Sequence, residues 1–171
     1  MASSAPAAPA AGYDLRPAWR LDDARIEADA IAFWRRLDIL PPDVTPEQRA
    51  KELGAVAYKD GRLVGVTTAS LGRLEIVRAR LAMLRGAVDP DHRRSHVAMA
   101  LAVYTRELIQ RWSKEHPEEK VAGLGAIIES PDLLARQREP FWPTTRFGVV
   151  GYRADGRQIR VSWFEDFRLD V

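Results

Sequence analysis

The spacing of apolar side chains changes several times along this chain, and each change predicts an element. Tyr13–Trp19 predicts a short strand, with Pro17 placing it at an edge or an end. Asp22 and Asp23 are good helix N-caps, and behind them Ile26, Ala30, Phe33, Trp34 and Leu37 recur at helical spacing up to the stop at Pro41-Pro42. Thr45-Pro46-Glu47-Gln48 combines a cap, a proline at the first helical position and a glutamine three residues past the cap. That predicts a second, short helix, ending at Gly54.

Ala55–Lys59 and Arg62–Ser70 flank Asp60-Gly61, whose residue types suit left-handed torsions, so a β-hairpin is expected. A strand follows over about Arg78–Val88, stopped by Asp89-Pro90-Asp91. From about Arg93, Val97, Leu101, Tyr104, Leu108 and Trp112 form the apolar stripe of a long helix. The run Lys120–Glu129 suits a strand buried on both faces in a parallel pairing, which completes a βαβ unit. Ser130 caps a short helix to about Arg138, broken at Phe141-Trp142-Pro143. A closing hairpin pairs Phe147–Arg153 with Gln158–Phe167, with Ile159, Val161 and Trp163 alternating against Gln158, Arg160 and Ser162. The expected architecture is α/β (α+β): a mixed, mostly antiparallel sheet of about seven strands with helices on both faces.

Composition narrows the chemistry. The 171 residues are 46% hydrophobic and 29% charged, enough to bury a core and too apolar for a disordered chain. Residues 1–11 are Ala, Pro and Ser apart from Met1, so a disordered tail is expected there and a single domain over residues 12–171. The absence of Cys removes disulfides, thiolate metal sites and a cysteine nucleophile. The His residues are scattered without HExxH-like spacing, so no metal site is expected. No apolar run reaches the roughly 20 residues of a membrane span, and the N-terminus lacks a secretory pattern, so a cytoplasmic location is expected. The 26 basic and 24 acidic side chains are interspersed, which speaks against a nucleic-acid partner.

The chemistry concentrates in Leu84-Arg85-Gly86-Ala87-Val88-Asp89-Pro90-Asp91-His92-Arg93-Arg94-Ser95-His96-Val97-Ala98, where a strand turns within a few residues into a helix. The first N–H groups of a helix lack intrahelical acceptors and sit at the positive end of its dipole, so this junction suits an anion, reinforced by Arg93 and Arg94. The alternative for these arginines is solvation beside Asp89 and Asp91.

Val88-Asp89-Pro90 followed by Arg93-Arg94-Ser95-His96-Val97-Ala98 resembles the acyl-CoA motif of the GNAT superfamily of N-acetyltransferases, and the order of elements from Gly12 to Val171 is similar to that family's. The resemblance implies acetyl-CoA, or another acyl-CoA, as the acyl donor. It implies that the backbone of Gly86, Ala87 and Val88 meets the pantetheine arm, with Leu84 and Arg85 before them also in the cofactor site, that N–H groups from Arg94 to Ala98 hold the pyrophosphate, and that a small-molecule or peptide amine is the acceptor. A backbone N–H near Leu84 to Gly86 would polarise the thioester. Glu129 is then the candidate general base, directly or through water, and Ser130 and the hairpin after Ser70 face the acceptor. A solvated carboxylate at a strand end is the alternative for Glu129. The sequence departs from the family pattern in two places. His96 stands where the family prefers Gly, able either to crowd the pyrophosphate or to donate to it. Residues 131–148 hold no Tyr to act as a general acid. Those departures raise a second reading, an inactive acyl-CoA-sensing or dimerising module, and an exposed strand edge makes a homodimer possible in either case.

Overall fold

The computed structural model describes residues 11–169, so the tail expected over residues 1–11 lies, apart from Ala11, outside the described residues. Eight strands form one mixed, mostly antiparallel sheet, in the order β1-β2-β3-β4-β5-β8-β7-β6. They are β1 (Asp14–Pro17), β2 (Leu53–Lys59), β3 (Arg62–Leu74), β4 (Ala79–Val88), β5 (Val121–Ile128), β6 (Phe141–Trp142), β7 (Phe147–Tyr152) and β8 (Gln158–Trp163). The helices are α1 (Ala24–Leu37), α2 (Pro46–Ala50), α3 (Val97–Glu115) and α4 (Pro131–Arg136). The eighth strand, beyond the seven expected, is β6, the Phe-Trp pair that the sequence marks only as a helix stop. It pairs with β7 through Phe141↔Gly148 and Trp142↔Phe147.

The chain packs as two compact units, residues 11–69 with 85–108 and residues 70–84 with 109–169; β3, β4 and α3 run through both. In the first unit, strand alternation sorts the core. Val56, Tyr58 and Val66 pack with Ile26, Ala30, Phe33 and Trp34 of α1. Ala55, Ala57 and Val64 pack with Val97 and Leu101 of α3. Neighbouring residues on a strand point to opposite faces, so α1 and α3 cover opposite sides of the β2–β3 hairpin and both of its faces are apolar.

The predicted caps are in place. Asp23 accepts from Arg25 and Ile26 N–H groups, and Thr45 with Gln48 forms a reciprocal capping box. Asp60 and Gly61 turn the hairpin at φ 49° and 77°. Gly54, however, does not stop α2; it lies inside β2. A Cβ there would sit 2.9 Å from Thr105 Cγ2 and 3.0 Å from Thr67 Oγ1, so this glycine lets α3 approach the strand closely.

In the second unit β4 and β5 pair in parallel, from Arg80↔Val121 to Met83↔Gly125, as the βαβ pattern requires. Leu81, Ala122 and Val161 are the centre of its core. The crossover helix departs from the expected stripe. The buried row of α3 is Val97, Leu101, Thr105 and Ile109, while Tyr104, Leu108 and Trp112 are half-buried. The polar positions of β8 are buried as well: Arg160 and Ser162 are 1% and 0% exposed. Arg160 stacks its guanidinium 3.6 Å from the Trp142 ring centroid, donates to Gln158 Oε1 at 2.6 Å and to the Glu139 carbonyl at 2.8 Å. A buried charge persists here because stacking and hydrogen bonds replace its hydration.

Candidate functional site

β4 delivers its last residues to the predicted anion junction. Leu84 is half-buried, Arg85 and Gly86 are exposed, and Ala87 and Val88 are half-buried, Ala87 against the α1 side of the core and Val88 against the α3 side. A Cβ on Gly86 would meet nothing closer than the Val66 carbonyl oxygen at 3.8 Å, so the chain's own packing does not demand glycine there. The strand ends where the Asp89 N–H donates to the Val64 carbonyl at 2.8 Å.

Asp89 is 4% exposed, and both its carboxylate oxygens are engaged. Oδ2 accepts from Arg36 Nη1 of α1 at 2.7 Å, and Oδ1 accepts the Asp91 N–H at 3.0 Å, capping the 3-10 turn Pro90–His92. Burial pushes this carboxyl's pKa up. The Arg36 hydrogen bond, the Asp91 N–H and the charges of Arg36 and Arg62 more than offset that, and hold it below the ordinary carboxylate value. Asp89 thus turns inward to Arg36, and Arg93 and Arg94 stand exposed, neither in an ion pair among the described residues.

The helix begins later than the sequence suggests, at Val97 rather than about Arg93. Arg94 and His96 intervene at φ 71° and 63°. The first bond into the helix is from the Ala100 N–H to the His96 carbonyl at 3.0 Å, so the N–H groups of Val97, Ala98 and Met99 precede the ladder. Arg93, Arg94, His96 and Ala98 are exposed, Ser95 is half-buried and Val97 is 1% exposed, the anchor of the turn. His96 thus adopts the backbone region that glycine favours, with its side chain exposed. His92 is half-buried, its Nδ1 2.8 Å from the Tyr13 hydroxyl. His116 stacks on Trp112.

The features that would suit an anion are N–H groups outside the helical ladder, two exposed arginines that form no ion pair among the described residues, and the half-buried end of β4 beside them. Glu129 lies elsewhere in the chain, just past β5 in the second unit. It is exposed and paired with Arg157 Nη1 at 3.0 Å. Ser130 spends its hydroxyl capping α4 through the Leu133 N–H. Among the described residues no group of His, Asp and Glu could hold a metal ion, and no helix is long and apolar enough to cross a membrane. Arg36 is the site residue that sequence reasoning missed. It lies 53 positions from Asp89, and only the polar residue inside Val-Asp-Pro hinted at a partner.

No family model matches the chain, and no curated protein matches it. Solved structures do. An acetyltransferase of the GNAT family from Streptococcus pneumoniae superposes with a TM-score of 0.58 at 12% identity, over 89% of this chain and 99% of that one. A ribosomal-protein-S5-alanine acetyltransferase from Vibrio fischeri gives 0.57 at 11% identity, over 92% and 96%. A diaminobutyrate acetyltransferase from Paenibacillus lautus, solved with L-2,4-diaminobutyric acid and coenzyme A, gives 0.51 at 18%, over 93% and 98%. Likeness along nearly the full length of each, at such low identity, is a likeness of fold.

Proposed function

We propose that this chain, which has the GNAT fold, is an acyltransferase that moves an acetyl or other short acyl group from coenzyme A to an amine by direct attack in a ternary complex, with residues 12–171 working as one domain. The observation that carries this reading is the junction of β4 and α3. There Val97, Ala98 and Met99 N–H groups stand outside the helical ladder beside Arg93 and Arg94, at the place where acyl-CoA would be held in this fold.

In this reading the backbone of Gly86–Val88 runs along the pantetheine arm, and Arg94–Ala98 with Arg93 hold the pyrophosphate. The acyl donor supplies an activated thioester carbonyl. The chain contributes positioning and a backbone N–H from the Leu84–Gly86 stretch to polarise that carbonyl. Nitrogen forms its bond to the acyl carbon as the C–S bond breaks, and the proton lost by nitrogen ends on sulfur. Glu129 serves as base, directly or through water, by exchanging its exposed contact with Arg157. The solved relatives named above include one acting on a small-molecule amine and one named for a protein alanine, and both acceptor classes fit the reading.

Thermal unfolding with acetyl-CoA, free coenzyme A and ATP tests it. At about 100 times the dissociation constant, the expected stabilisation is roughly 2.7 kcal/mol, or about 5 to 10 °C. ATP should give much less. No shift at millimolar acetyl-CoA would overturn the cofactor site. Binding without thiol release across a broad amine panel would instead favour the sensing module, the reading that His96 and the Tyr-free 131–148 segment support.

A further inference from the structure

Between the 3-10 turn and α3 the backbone holds two torsions that L-residues rarely adopt, φ 71° at Arg94 and 63° at His96. The clash of Cβ with the carbonyl disfavours them, and they persist only where the surroundings fix the chain. Here the surroundings form a connected set. Arg36 holds Asp89, Asp89 caps the turn, and the Asp89 carbonyl accepts the His92 N–H at 2.9 Å. The His92 carbonyl takes the Ser95 hydroxyl at 2.5 Å, and the Tyr13 hydroxyl meets the His92 ring. Val97 is buried just beyond. Asp89 is the origin of this set, and Arg36 is the charge that makes its burial tolerable.

We infer that the Arg36–Asp89 pair is a positioning strut for the diphosphate of the acyl donor: without touching the ligand, it holds residues 93–96 in the strained conformation that binds it. The inference rests on the acyl-CoA reading above. It predicts that the strut matters for affinity because the loop is strained, so relieving the strain should relieve the dependence.

The test is calorimetric titration of the full chain with free coenzyme A. Asp89→Ala should weaken binding about tenfold, the equivalent of one disfavoured torsion, and Arg36→Gln should weaken it about fivefold. Arg36→Lys keeps the charge and should stay within about threefold of wild type. Repeated in a His96→Gly background, the Asp89→Ala loss should shrink to about threefold or less, because glycine holds the left-handed torsion without the Cβ clash. If the wild-type chain binds coenzyme A and both Asp89→Ala and Arg36→Gln match it, the pair serves the fold alone and the inference falls. An equal loss in both His96 and His96→Gly backgrounds also overturns it. Should Asp89→Ala fail to fold, the contrast between Arg36→Gln and Arg36→Lys carries the test, with equal affinities overturning the strut. No binding by the wild-type chain overturns the acyl-CoA reading, and the inference with it.

Discussion

Single side chains here do two kinds of work, and substitution separates them. Gly86 is exposed on β4, and a Cβ there would make only ordinary contacts, with the Val66 carbonyl oxygen at 3.8 Å and Thr67 Cγ2 at 4.0 Å, so Gly86→Ala should leave thermal stability unchanged or slightly raised. If the pantetheine arm runs along this stretch, the same methyl group should weaken coenzyme A binding severalfold. An unchanged affinity would remove Gly86 from the cofactor path. Arg160 belongs to the other kind. It is 1% exposed, and its guanidinium serves the Glu139 carbonyl and Gln158 while stacking on Trp142. Arg160→Ala removes that packing and strands those acceptors, which should cost about 2 to 4 kcal/mol in urea unfolding. A loss under about 1 kcal/mol would mean that the buried guanidinium contributes no more than its desolvation removes.

Elements were legible wherever one residue type has one local use. Asp23, Thr45 with Gln48, Asp60-Gly61 and Ser130 each make the cap or turn their types favour, and the apolar run of β5 is buried and parallel to β4. The strand-turn-helix junction of the candidate site was legible for the same reason. What escaped depends on neighbours distant in the chain. Gly54 reads as a helix stop because α2 precedes it, yet its use is the contact of β2 with Thr105 on α3. Thr105 itself, fully buried, bonds to Thr67 across 38 positions at 2.7 Å, and a polar residue on a helix does not announce that partner. The start of α3 was set four residues early because Arg94 and His96 take left-handed torsions that their residue types do not advertise. The packing of β2 on α3 gives its own prediction. Gly54→Ala places a methyl group against Thr105 and Thr67, where neither can withdraw without breaking their mutual bond, and should cost about 1 to 3 kcal/mol. Thr105→Ser opens room on the Cγ2 side while keeping the hydroxyl, so it should recover part of that loss; no recovery would locate the strain elsewhere.

For the molecule as a whole, two buried groups shape how stability depends on pH. Asp89 is held below the ordinary carboxylate value, so above about pH 4 its contribution is fully present. As pH falls further the unfolded chain takes up a proton first, and the contribution is lost toward the folded value. Tyr58 acts at the other end. It is 6% exposed, and burial, the bond its hydroxyl donates to Asp29 Oδ2 at 2.7 Å and the Asp29 charge raise its pKa above the ordinary phenol value, against the opposing charges of Arg16 and Arg25. Its contribution is therefore complete below about pH 10. It is lost as pH rises beyond that, because the unfolded phenol ionises while the folded one stays protonated. Urea midpoints measured across pH should accordingly form a plateau with an acid and an alkaline shoulder. Asp89→Asn removes the acidic titration and should flatten the acid shoulder selectively; Tyr58→Phe should flatten the alkaline shoulder and leave the acid one. Each substitution also lowers the plateau by the hydrogen bond it weakens or deletes, so the diagnostic quantity is the slope against pH, which reports the difference in bound protons between the two states. Slopes that survive both substitutions unchanged would show that other groups titrate there and that neither buried pair links folding to protons.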